Sequence, residues 1–182
     1  KATNPPALLS QGKVEKIEYD DQVALENHCY GIDVIIHAAG MNAQACIDNP
    51  EAALNFNGET TTRLVTAANR AGVLRFIYLS TAHVYTSPLV GIITEETPTK
   101  NLHPYAVSKL LGENAVIDKC MLGKTQGIVL RLSNAFGAPI YKDVNCWTLL
   151  INDLCKQAIQ TRKLVLRTSG LEERDFIGLS NV

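Results

Sequence analysis

Two neighbouring stretches, RFIYLST at 75–81 and HPYAVSKLLGEN at 103–114, constrain the chain more than any other part of it. The apolar run at 76–79, bounded by polar residues, reads as a short buried strand. It ends on Ser80 and Thr81, which places two hydroxyls at its carboxyl end. In open α/β sheets ligands bind at that edge. Pro104 reads as the first residue of a helix, where its missing N–H removes no hydrogen bond. Tyr105 and Lys109 are four apart on that helix and share one face. A phenol, an ammonium and a hydroxyl then converge above one sheet edge, the outline of a proton-transfer site.

The residue types suit that chemistry. A free tyrosine, with a pKa near ~10, is a poor base at neutral pH. A nearby ammonium favours the phenolate and lowers that value towards the working range. Thr81 would hold the substrate oxygen while Tyr105 takes or returns its proton. Taken alone, a Tyr-x-x-x-Lys pair also describes an ordinary solvated helix face.

The flanking sequence alternates strands with helices. Residues 14–19 alternate apolar with charged side chains and read as a strand, followed by Asp20 and Asp21 and a helix over 22–29. Asp20 also suits the helix N-cap. Residues 33–37 (DVIIH) read as a buried strand, and Ala38-Ala39-Gly40 after it allows close approach of a ligand to the backbone. Asn49 and Pro50 read as N-cap and first residue of a long helix with a buried stripe of Leu54, Thr61, Leu64, Val65 and Ala68, closed by Gly72. Asn55 and Asn57 lie near that stripe. A strand over 127–131, a helix over 145–161 and a short strand over 164–167 complete the pattern. Such alternation predicts an α/β fold with a parallel, doubly wound sheet.

Composition narrows the function classes. The 182 residues carry a formal net charge of −1, enough chain for one domain with a real core and no basic excess for a nucleic-acid surface. No apolar run approaches the ~20 residues that span a bilayer, so no membrane partner is expected. The opening KATNPPALLSQGK lacks the apolar core of a signal peptide. The cysteines at 29, 46, 120, 146 and 155 are odd in number and show no C-x-x-C spacing. They read as reduced packing residues of a cytoplasmic protein, with no metal site.

Six stretches, DVIIHAAG, NFNGETTTRLVTAA, RFIYLSTAHVY, PYAVSK, RLSNAFGAP and ERDFI, follow one another from about Tyr19 onward. In that order and spacing the sequence resembles the extended short-chain dehydrogenase/reductase family, in its NAD-dependent nucleotide-sugar epimerase/dehydratase group. The resemblance implies a Rossmann-like fold and NAD, rather than NADP, as cofactor. It further implies a nucleoside-diphosphate sugar as substrate and a homodimer when the protein is complete. It makes Thr81, Tyr105, Lys109 and Asn55 the catalytic set, with Asn55 ordering a proton-relay water. It gives Asp20 to the cofactor's adenine, Ala38, Ala39 and Gly40 to its pyrophosphate and ribose edge, and Ser80, Tyr105 and Lys109 to the remaining cofactor contacts. Thr81, Asn134 and Arg174 become substrate ligands, the last two at the diphosphate. His37 matches a packed family residue. Residues 1–139 are expected to form a partial NAD-binding domain and 140–182 the beginning of the substrate-binding region.

Some family features are missing. None of the twelve glycines forms G-x-x-G-x-x-G or G-x-G-x-x-G, the loop with which the family cradles the pyrophosphate at a helix N-terminus. The expectation is therefore an internal portion of an enzyme, preceded by two βα units of roughly 60 residues in all. The alternative is a disordered N-terminus. Family dehydratases carry Asp-Glu directly after the active-site threonine, where this chain has Ala82 and His83. Thr86 replaces the glycine usual after Val-Tyr. An epimerase is the leading expectation. A related sugar keto-reductase or dehydratase, and a non-catalytic nucleotide-binding sensor or docking module, stand as alternatives.

Overall fold

The computed structural model describes residues 12–86, 88–141 and 144–182. The opening 1–11, part of the stretch read for a signal peptide, lie outside the described residues. The chain forms two compact units, Lys16–Leu132 and Ser133–Val182, with residues 12–15 grouped with the second.

The first unit is built on a three-stranded parallel sheet of order β1-β2-β3, from Val34–His37, Arg75–Thr81 and Gln126–Leu132. The register pairs Phe76 of the central β2 with Ile35 and Gly127, and Tyr78 with His37 and Val129. Ser80 pairs with Arg131. Because side chains alternate along a strand, these residues share one face. That face is covered by α1 (Gln22–Cys29), α4 (Thr60–Ala71) and α5 (Pro104–Leu122), whose Leu25, Leu64, Val65, Ala68 and Val116 form one core with Phe76 and Tyr78. On the opposite face Val34 is 44% and Ile36 65% exposed.

Local chemistry sets the helix ends. Asp21 caps α1 by accepting from the Ala24 amide at 3.0 Å. Asn42 caps α2 (Ala43–Asp48) in the same way. Asn49 accepts from the Ala52 amide at 3.0 Å and Pro50 opens α3 (Pro50–Ala53), as the sequence predicts. Between α3 and α4 the backbone widens into a π turn, Leu54–Glu59. Gly72 ends α4 in the left-handed conformation, φ 80°, which glycine adopts without strain.

Four expected details differ. Residues 14–19 form no strand, because among the described residues no neighbour supplies a ladder of hydrogen bonds. Ile17 and Tyr19 instead join Leu25, Ile35, Ala38 and Leu64 around a cleft of about 340 Å³. Leu54 is 40% exposed rather than part of the buried stripe, since the π turn rotates it away from Leu64 and Ala68. The helix expected over 145–161 begins only at Leu150, with a turn before it closed by the Leu149 amide on the Cys146 carbonyl. Residues 164–167 form no strand either. The Gln157 side chain takes both the amide and the carbonyl of Val165, the groups that a strand neighbour would need.

In the second unit β4 (Asn134–Phe136) pairs in parallel with β5 (Phe176–Gly178), and α6 spans Leu150–Thr161. Asn152 on α6 is buried and bonds both the amide and the carbonyl of Gly137.

Candidate active site

Thr81 closes β2 and is buried, and its hydroxyl oxygen accepts from the His83 amide at 3.1 Å, starting a single 3-10 turn over Ala82–Val84. Tyr105 enters from the first turn of α5. There Pro104 fixes the backbone and the His103 ring caps the Tyr105 amide at 3.2 Å. The Thr81 side chain lies close enough to the Tyr105 phenol to hold it down against burial, and the His83 ring meets Tyr105 edge-on with centroids 6.2 Å apart. The expected hydroxyl and phenol therefore do come together.

The electrostatics correct one expectation. Burial pushes the Tyr105 phenol above its ordinary value, and the nearby Thr81 hydroxyl offsets this only in part. Burial outweighs any lowering by the ammonium in the ligand-free site, where Lys109 Nζ lies 4.1 Å from the centre of the Tyr78 ring, a cation–π contact. Lys109 is 4% exposed. Burial pulls its pKa down to about 8, while the Glu113 carboxylate and the Cys46 thiol act in the opposite direction. His37 stacks on the same tyrosine at 5.6 Å. Burial, then Lys109, holds it down to about 4, so it is neutral near pH 7 and packs as the sequence suggests.

The residue that ties these parts together is Asn57. Fully buried in the π turn, it accepts from the Met41 amide at 2.8 Å and donates to the Ser108 hydroxyl at 2.9 Å. Ser108 in turn donates to the Tyr105 carbonyl at 2.9 Å. One amide side chain thus holds the loop after β1 against the turn of α5 that carries Tyr105 and Lys109. Asn55, the candidate for the relay, lies exposed on the same π turn. The sequence offers both asparagines without separating them, because an unbroken 3.6-residue period cannot foresee a wider turn.

The cofactor candidates occupy the carboxyl edge of β1. Ala38, Ala39 and Gly40 are exposed, and the cleft beside Ala38 and Ala39 carries mainly apolar walls. A Cβ on Gly40 would stand 3.2 Å from Asn57 Oδ1 and 3.7 Å from Lys109 Nζ. That position therefore tolerates little beyond hydrogen. A shelf of small residues beside a buried lysine suits a ribose and a planar ring, which makes these residues a fit for part of a dinucleotide. Asp20 is exposed and paired with Arg63. Ser80 points inward and donates to Glu113.

In the second unit, Asn134 and the segment before β5 are adjacent. The Asp175 carbonyl accepts from the Asn134 amide at 3.2 Å and from its side-chain nitrogen at 2.9 Å. Arg174 is paired with Glu172. Among the described residues no His, Cys, Asp or Glu cluster could hold a metal, and no helix is long and apolar enough to cross a membrane.

A dTDP-D-glucose 4,6-dehydratase of Mus musculus is 32% identical over 155 residues, covering 83% of this chain and 41% of that protein. A UDP-glucose 4-epimerase of Azospirillum brasilense is 29% identical over 131 residues, or 71% of this chain and 37% of that one. The chain therefore spans less than half the length of these curated relatives. In fold it is similar to UDP-glucuronic acid 4-epimerase of Bacillus cereus, solved with UDP-glucuronic acid and NAD, with a TM-score of 0.74 and 24% identity over 88% of this chain and 51% of that chain. The sheet is that of a Rossmann-like protein. The model of the NAD dependent epimerase/dehydratase family matches residues 1–182, and the chain belongs to that family.

Proposed function

We propose that this chain carries the acid–base residues of an NAD-dependent enzyme that epimerises a nucleoside-diphosphate sugar, with residues up to 139 in the cofactor half and 140–182 beginning the substrate region. The observation that carries the reading is the proximity of the Thr81 hydroxyl to the Tyr105 phenol at the carboxyl edge of β2, with Lys109 one turn further along α5. The Ala38-Ala39-Gly40 shelf, Tyr105 and Lys109 would hold NAD, with Asp20 at its adenine end. When bound, NAD supplies a hydride acceptor and donor.

The protein's own residues manage the proton. Thr81 orients the sugar oxygen by hydrogen bonding, and Tyr105 Oη takes the hydroxyl proton and later returns it to the carbonyl oxygen. A buried phenol with a raised pKa keeps its proton, so the ligand-free site is set for the returning step. Proton removal requires the phenolate, which the Lys109 ammonium favours when it is charged. With a value of about 8, Lys109 is charged below that pH and loses its charge above it. The phenolate–ammonium pair holds one proton fewer than the phenol–ammonium pair, so activity is expected to rise with pH towards about 8 and to level off above it. A rate already level from pH 6 upward would exclude the ammonium.

Epimerisation is preferred over 4,6-dehydration because water loss needs an acid and a base beside the threonine. Ala82 offers neither. The 32% identity to the mouse dehydratase favours the second reading. Proton NMR of a UDP-hexose incubated with the intact protein and NAD separates the two. Epimerisation gives two interconverting hexoses with no net change in NADH, whereas accumulation of a 4-keto-6-deoxy sugar would replace the proposal with dehydration.

Two further outcomes are expected. The 182-residue chain alone should bind NAD weakly, since its sequence holds no glycine-rich phosphate loop. Calorimetric binding at micromolar affinity would show that the shelf and Asp20 suffice. In the intact protein, Arg174→Lys should raise KM for the nucleotide sugar roughly tenfold or more, because lysine cannot reproduce a paired guanidinium–phosphate contact. NAD affinity should not move. An unchanged KM would leave Arg174 as the partner of Glu172 alone, a surface pair worth only ~0–1 kcal/mol.

A further inference from the structure

Tyr105, Lys109 and Glu113 recur at intervals of four on α5 and share one face. Glu113 is fully buried, where an ion without partners is costly. Its partners reach in from two strands. Ser80, the residue before Thr81, donates to one carboxylate oxygen. Arg131 from β3 donates from Nε to both oxygens, at 3.0 and 3.2 Å, and from its terminal nitrogen at 2.7 Å. The other end of the guanidinium donates to the Tyr85 hydroxyl at 3.0 Å and to the Glu95 carbonyl at 3.2 Å. One carboxylate is therefore connected to the end of β2, to β3 and to the loop that follows the 3-10 turn.

A buried ion pair is weak evidence for stability, because the desolvation of both ions opposes their attraction. Its place beneath the acid–base residues suggests another use. We propose that Glu113 is the positioning residue of this site, its carboxylate fixing Lys109, Thr81 and the loop carrying Tyr85 and Glu95 in one arrangement through Ser80 and Arg131. The reading rests on the proposed acid–base role of Tyr105 and Lys109, but part of its test does not.

The groups facing Lys109 define what the carboxylate must do. They are Glu113 on its own helix, Tyr78 from β2, His37 from β1 and Cys46 from α2. Glu113 is the acidic side chain among them, and it acts on Lys109 against the burial that would strip its proton. Arg131 is bonded to the oxygens of that carboxylate.

The test is the titration of Lys109 in the intact protein, read from its 13Cε shift in lysine-labelled samples and assigned with Lys109→Arg. Glu113→Gln keeps the shape and an acceptor oxygen but removes the charge. It should lower the Lys109 midpoint by about one unit or more. It should also reduce kcat at pH 7 about tenfold or more, with KM little changed. Glu113→Asp retains the charge and should hold the midpoint near that of the parent. If Glu113→Gln fails to fold, Glu113→Gln/Arg131→Met leaves no unpaired buried charge, and a smaller downward shift is expected because the Arg131 cation is removed as well. A midpoint equal to the parent's in the neutral variant that folds would overturn the proposal, as would equal shifts in the Gln and Asp variants. A moved midpoint in a protein that turns over no nucleotide sugar would overturn the acid–base reading and leave the Glu113–Lys109 coupling standing.

Discussion

Tyr105→Phe should lower turnover of the nucleotide sugar about 10²–10⁴-fold, the usual worth of a positioned general acid–base group. The substitution deletes one oxygen. It leaves the ring against His83 and the His103 cap on the backbone amide, so the first turn of α5 should keep its place. NAD affinity should change little, and the loss should fall on kcat. Lys109→Met should cost at least as much, because it removes the ammonium both from the phenol's surroundings and from the cofactor shelf beside Gly40. Steady-state kinetics on the intact protein decides the matter. Near-parental turnover in the phenylalanine variant would move the proton transfer to another group, with His83 the nearest alternative.

The second large effect is on stability. Gly112 faces Tyr78 and the π turn, and a Cβ there would meet the Asn57 carbonyl at 2.7 Å and collide with the Tyr78 hydroxyl. In an exposed helix, alanine for glycine would gain roughly 1 kcal/mol. Here overpacking opposes that gain, typically by ~1–3 kcal/mol, and the obstructing atom belongs to backbone that cannot swing aside. Gly112→Ala should therefore be a net loss, lowering Tm by a few degrees in a protein of this size. Because α5 must move away from β2 to admit the methyl group, Tyr105 and Lys109 move with it and kcat should fall as well. Thermal unfolding checks the first effect. An unchanged or raised Tm would mean that the helix gain exceeds the collision.

The two predictions also mark what could be read from the residues alone. The elements that carry Thr81, Tyr105 and Lys109 were legible because each rests on a signal of short range: a strand end, a proline-led helix start and a spacing of four. The caps Asn49 and Gly72 were legible for the same reason. What failed were features that depend on a neighbour. Residues 14–19 have a strand's alternation, but a strand exists only with a partner to complete its hydrogen bonds. Residues 164–167 lost theirs to the side chain of Gln157. The polarity of the site was missed too. Whether burial or an ammonium dominates at the phenol depends on packing between α5 and β2, and no spacing within α5 encodes it. Glu113 shared that fate. A glutamate at this spacing reads as an exposed helix residue until β3 delivers Arg131 to it.

The π turn has a consequence for how this segment can change. The Thr60 amide reaches back to the Asn55 carbonyl, one residue further than in an α-helix, so the turn behaves as an α turn with one residue spliced in. Removing any single residue from 54–59 would let 50–71 run on as a more regular helix. It would also advance everything before the deletion by about 100° around the axis relative to α4. Asn57 would then lose either Met41 or Ser108, and the loop after β1 would come adrift from the helix of Tyr105. Substitutions at the exposed Asn55 or Glu59 disturb none of those bonds. The segment is thus constrained in its length more tightly than in its spelling, and the irregular turn is the form in which that length is kept.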